Sequence, residues 1–110
     1  RKFLRGRISV DIWEDDDKFV LEADLPGRDP GDIQLTLDKR VLSIEVLEQS
    51  LEDSESSLLL KERFSGKLKR MVNLADDVDS EYVNSKYRNG VLTVTLPKTQ
   101  KARIKKIEIE

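Results

Sequence analysis

The side chains able to do chemistry in this 110-residue sequence are a restricted set, because it contains no His and no Cys. That absence removes thiol nucleophiles, thiolate metal sites, disulfides, imidazole ligands, Ser-His-Asp triads and a histidine switch near neutral pH. The five glycines never cluster into a phosphate-cradling loop. Asp15, Asp16 and Asp17 are contiguous, whereas a calcium loop spaces its ligands and places a glycine at its sixth position. They read instead as a solvated hairpin tip. The 22 acidic residues supply carboxylate pairs in abundance, yet no spacing among them singles out a glycoside-hydrolysing pair. The reading is therefore not an enzyme, with no catalytic residue, no cofactor and no metal site.

Three features point to association instead. Leu58-Leu59-Leu60 follows a long polar loop; the run is either an ordinary core strand or a segment carried away from its own sheet. Ile107 and Ile109 lie ten residues or more beyond Pro97. On an extended tail an i, i+2 pair points both side chains the same way, toward two neighbouring pockets; the alternative is a last edge strand. Arg70 stands among Leu68, Val72 and Leu74 on the apolar face of its strand. Such an Arg needs an acidic or carbonyl partner, within the chain or across an interface.

The elements that position these residues are almost all strands. Ile8, Val10 and Ile12 alternate with polar residues, as do Phe19, Leu21, Ala23 and Leu25 after the acidic tip. Pro26-Gly27 stops the second strand. Ile33, Leu35 and Leu37 form a third set; Asp38-Lys39-Arg40 turns the chain into a fourth, with Leu42, Ile44 and Val46 on one face. Residues 48–57 hold four Ser and four acids but one Leu, a loop longer than a tight hairpin needs. Residues 58–64 then read as a strand, and Leu68, Arg70, Val72 and Leu74 as another. Residues 75–81 read as an acidic connection with one short helical turn. Val83, Ser85 and Tyr87 lead into Asn89-Gly90, a strong hairpin signal, and the return strand closes at Pro97. Eight or so short strands with regular turns make an antiparallel β-sandwich.

Composition agrees. Charged residues are 38% of the chain, but 20 basic and 22 acidic side chains leave a net charge of only −2. Neither that balance nor six aromatics without a stacking cluster suits nucleic-acid binding. No apolar run reaches the length of a membrane span, and the basic amino end lacks the pattern of a secretory signal. A cytoplasmic location is expected.

The sequence resembles the small heat-shock proteins, through their α-crystallin domain, in its non-animal (bacterial and plant-like) form. Residues 85–92, Ser-Lys-Tyr-Arg-Asn-Gly-Val-Leu, match a signature of Ala, three variable residues, Asn, Gly, Val and Leu, with Ser85 in place of Ala. Leu25-Pro26-Gly27 matches the family's Leu-Pro-Gly. Glu62-Arg63, Gly66 and Arg70 follow its Glu-Arg-x-x-Gly-x-aromatic-x-Arg pattern, with Leu68 at the aromatic position. Ala75 stands where many members carry Pro, and Ile107-Glu108-Ile109 matches the C-terminal Ile-x-Ile motif.

The resemblance implies an immunoglobulin-like sandwich of about seven or eight strands, with an exchanged loop strand and an extended C-terminal tail. It divides the chain into a remnant of an N-terminal arm at 1–7, the sandwich at 8–97 and a C-terminal extension at 98–110, and it favours truncation of that arm. It implies an ATP-independent holdase that binds unfolding clients, as homodimers that build larger oligomers. The dimer interface would comprise Ile8, Val10, Ile12, Leu58, Leu59, Leu60, Glu62, Phe64 and Arg70, with strand 58–64 exchanged onto the partner's first strand. The tail's Ile107 and Ile109 would dock in a groove formed by Ile33, Leu35, Leu37, Val83 and Ser85 of another dimer. A monomeric β-sandwich co-chaperone or adaptor is the competing reading; it should lack both the exportable strand and the Ile-x-Ile tail.

Overall fold

A computed structural model describes residues 6–47, 56–63, 66–103 and 109. Among them are seven strands: β1 (Ser9–Glu14), β2 (Lys18–Asp24), β3 (Ile33–Asp38), β4 (Val41–Val46), β5 (Leu68–Asn73), β6 (Asn84–Arg88) and β7 (Val91–Pro97). Two single turns of 3-10 helix, Pro30–Asp32 and Ser80–Tyr82, and one short helix, α1 (Gln100–Arg103), complete the order. The strands form two antiparallel sheets, β1-β2-β7-β6 and β3-β4-β5.

The period-2 pattern decides which face is buried. Phe19, Leu21 and Ala23 on β2 stand opposite Leu96, Val94 and Leu92 on β7, and all six are buried. Leu42, Ile44 and Val46 supply the facing sheet, and Leu25, Val72 and Leu74 close the core. One apolar row from each sheet meeting its counterpart is the usual construction of a sandwich.

The turns follow their residues. Asp15 accepts hydrogen bonds on Oδ1 from the backbone N–H of Asp17 and of Lys18, both at 2.8 Å. The acidic tip is thus an Asx-type turn; its N–H donors, with the Lys18 side chain behind them, hold the Asp15 carboxyl below its ordinary value. Asn89 (φ 53°) and Gly90 (φ 77°) both take positive φ, as a two-residue hairpin requires. A Cβ on Gly90 would lie 3.1 Å from Pro26 Cα.

The expected strand at 58–64 does not form in the described chain: residues 57–62 have no regular structure. A strand exists only with a ladder partner, and β5 pairs directly with β4, leaving no slot beside β4 for the segment between them.

Candidate functional site: two strand edges and a tail root

The candidate surfaces expected from the sequence fall on the two flanks of the sandwich. On the first flank are the edge strands β1 and β5. Arg70 stands opposite fully buried Ile44, in line with Leu68 and Val72, so its stem starts on the inner face. Its Nη1 donates to the carbonyl of Ile8 at 2.8 Å. The partner that Arg70 required is therefore a carbonyl of its own chain, and the bond clips β5 to the entry of β1. The Ile8 side chain belongs to the core, at 2% exposure; what Ile8 offers a neighbour is backbone. Val10 is half-buried against the core, while Ile12 and Trp13 are exposed. Among the described strands β1 pairs only with β2, so its other side offers backbone N–H and C=O groups as a template for a further strand.

Leu58, Leu59 and Leu60 are 71%, 96% and 73% exposed. Three consecutive leucines in water are costly unless another surface covers them. Glu62 is exposed and Lys61 Nζ donates to the carbonyl of Arg63 at 2.8 Å. The structure does not bring 58–62 onto its own β1, and Phe64 lies outside the described residues.

With β5 clipped to β1, β3 and β6 are the edges of the opposite flank. Ile33, Leu35 and Leu37 on β3 are half-buried, packed against the core on one side and open on the other. Val83 and Tyr87 are likewise half-buried, but Ser85 between them is exposed. Ser85 is thus the one small, polar side chain in that otherwise apolar row. The Tyr87 hydroxyl donates to the carbonyl of Leu25 and accepts from the N–H of Arg28, fixing the turn at Pro26-Gly27 against β6. Ile109 is 96% exposed, so its own sandwich does not hold it. Ile107 lies outside the described residues.

Sequence reasoning missed the third feature, at the root of the tail. Lys98 is 5% exposed, the buried charged residue among those described. Its Nζ lies 2.7 Å from Glu14 Oε2 and 3.1 Å from Asp76 Oδ2, with the Phe19 ring centroid 5.1 Å away. The hydrogen bond to Glu14 is the main cause that raises the Lys98 amine above its ordinary 10.5; the bond to Asp76 adds to it and burial opposes it. Glu14 lies 84 positions from Lys98, and nothing local in the sequence marks the pair. An open cleft of about 580 Å³ beside it is lined by Asp79, Tyr82, Lys98, Gln100 and Arg103. No group of three metal-ligating side chains occurs among the described residues.

A β-sandwich with an unpaired edge, a half-open apolar flank and leucines held in solvent defines a module whose available surfaces suit other polypeptide chains better than a small substrate. The chain belongs to the Hsp20/alpha crystallin family, whose sequence profile matches residues 11–110. It is 35% identical over 101 residues to small heat shock protein C4 of Rickettsia felis, covering 91% of this chain and 62% of that protein. It is 39% identical over 100 residues to a probable 15 kDa heat shock protein of Leptospira interrogans, covering 91% of this chain and 75% of that one. Among solved structures, heat shock protein 16.0 from Schizosaccharomyces pombe aligns with a TM-score of 0.76 at 30% identity, over 94% of this chain and 98% of that one. A small heat-shock protein from Xylella fastidiosa, described as having a distinct high order structure, aligns at 0.71 with 34% identity, over 94% and 95% of the two chains. The immunoglobulin-like sandwich expected from the sequence is the fold observed. No helix among the described residues is long and apolar enough to cross a membrane.

Proposed function

We propose that the chain is an ATP-independent chaperone of the holdase kind, which binds unfolding proteins and keeps them from aggregating. The observation that carries this reading is the exposure of Leu58, Leu59 and Leu60 in a chain whose edge strand β1 pairs on one side only among the described strands. In a homodimer, segment 58–64 of each chain adds to β1 of the other, meeting Val10 and Ile12, while the Arg70–Ile8 clip holds the receiving edge in place. Loop 48–57 supplies the reach.

Larger assemblies form when Ile107 and Ile109 of one dimer seat beside Ile33, Leu35, Leu37, Val83 and Ser85 of another. Burying two Ile side chains yields about 3–6 kcal/mol before ordering costs, so one docking event is weak. Repetition around an assembly supplies avidity and leaves each contact free to exchange. The same apolar rows and edges accept unfolding clients when the tail leaves, and the 38% charged composition keeps the loaded complex in solution. The described high order structure of the Xylella fastidiosa relative supports the assembly half of this reading.

Deleting residues 48–60 tests it. The expected product is a folded monomer by sedimentation equilibrium. A dimer that persists would refute strand exchange, and a wild-type chain that is already monomeric would favour the adaptor reading.

A further inference from the structure

The first residues of the tail are bonded to the sandwich far more heavily than a tether needs. Lys98 N donates to the carbonyl of Asp17 at 2.8 Å, Thr99 N to that of Asp77 at 3.0 Å, and Asp79 N to that of Pro97 at 2.8 Å. Val78 and Lys98 form a β-bridge. The Lys98 ammonium joins Glu14, the last residue of β1, to Asp76 in the connection after β5. Beyond this anchor the chain turns back on itself. Thr99 Oγ1 accepts from Ala102 N at 3.2 Å, Thr99 O from Arg103 N at 3.1 Å, and the carbonyl of Lys98 from Arg103 Nε at 3.0 Å. Helix α1 is therefore closed onto Lys98 and Thr99 by its last two residues.

We propose that Lys98 and Arg103 are positioning residues that fix the direction in which the tail leaves the sandwich. This rests on the reading that Ile107 and Ile109 dock on another dimer. Buried between two carboxylates, Lys98 sets the origin; Arg103, bonded to the Lys98 carbonyl, sets the angle of α1. An assembly with closed point-group symmetry requires each subunit to offer its neighbour the same angle. A stiff root thus selects one assembly, where a free hinge would permit several. Glu14 makes the bracket continuous with β1, so the proposed dimer edge and the proposed tail contact share one rigid frame.

The absence of Cys permits clean spin labelling. Labels at Thr36→Cys on β3 and Lys101→Cys on α1 report the angle by pulsed electron resonance. The labelled chain carries Ile107→Ala and Ile109→Ala, so that docking cannot hold the tail, and is diluted into excess unlabelled chain so that distances are within one chain. The expected result is one narrow distance population, with a width that at least doubles on Arg103→Ala or Lys98→Met. Arg103 is exposed, so its variant keeps the fold if Lys98→Met does not. A broad population with the bracket intact, or no broadening in Arg103→Ala, would overturn the proposal.

Native mass spectrometry of chains with the isoleucines restored then reads the consequence. Arg103→Ala should spread one assembly into several, whereas Val72→Ala, a core change remote from the tail, should not. Unchanged masses despite a broadened distance would overturn the link to assembly. Should the docking reading itself fail, the wild-type chain forms no assembly while the difference in distance width remains.

Discussion

If segment 58–64 pairs as a strand on a partner's β1, its side chains must alternate, and the three leucines are then not equivalent. Leu58 and Leu60 point to one face and Leu59 to the other. In the single chain Leu58 and Leu60 are 71% and 73% exposed, so their complete burial covers about 1.4 leucines' worth of surface per strand. At about 1.5–3 kcal/mol per buried Leu this amounts to about 2–4 kcal/mol per strand, and about 4–8 kcal/mol for a symmetric dimer with two such strands. Each 1.4 kcal/mol is a factor of about ten in dissociation constant. Leu58→Ser with Leu60→Ser should therefore weaken the dimer by about three to six orders of magnitude, and Leu59→Ser by far less. Sedimentation equilibrium over a concentration series measures both, with far-ultraviolet circular dichroism as the check that the sandwich persists. A dimer indifferent to the double change would refute the reasoning. Equal damage from Leu59→Ser would refute its geometry, because that pattern belongs to a hydrophobic cluster and not to a strand.

Ile107→Ala with Ile109→Ala should move assemblies to dimers in light scattering while thermal unfolding of the domain stays put; unchanged mass would remove the tail from the account. Gly90→Ala places a Cβ at positive φ and 3.1 Å from the Pro26 backbone, which should cost about 1–2 kcal/mol in denaturant unfolding from the left-handed conformation alone, and a neutral result would contradict the turn. Tyr87→Phe strands the Leu25 carbonyl and the Arg28 N–H and should cost about 1–3 kcal/mol in the same assay. The Lys98 amine is held above its ordinary 10.5 by Glu14 and Asp76, so its stabilising contribution is complete below pH 10.5 and is lost as pH rises through the raised value. Thermal melts on either side of pH 10.5 should show wild type losing more stability than Lys98→Met, and parallel losses would show that the ion cluster contributes nothing.

The parts of this fold legible in the sequence are those encoded by neighbours. Alternation at Phe19, Leu21 and Ala23, or at Leu42, Ile44 and Val46, marks a strand wherever a second sheet covers it. Asn89-Gly90 and Pro26-Gly27 dictate their turns through φ alone. Segment 58–64 carries the same alternation, but its residues 58–63 have no ladder partner among the described residues, and a ladder needs two strands; pattern specifies the face a strand would show, not whose sheet receives it. Arg70 was legible as a side chain needing a partner, but the Ile8 carbonyl that serves it lies 62 positions away. Lys98 was not legible, because its partners, Glu14 and Asp76, come from distant elements that only the folded sandwich brings together. The capped turn at Thr99–Arg103 is too short to display a helical period. For the flank opposite β1, the inward rows at Ile33, Leu35, Leu37 and Val83 were evident, whereas the nearness of the two rows depends on β3 and β6 sharing that flank.

The most direct test of chaperone function is light scattering from a heat-labile client protein, warmed with and without this chain in nucleotide-free buffer. Suppression of scattering at near-stoichiometric amounts is the expected result. Undiminished scattering in the presence of a folded, dimeric chain would contradict the claim that these 110 residues hold unfolding clients.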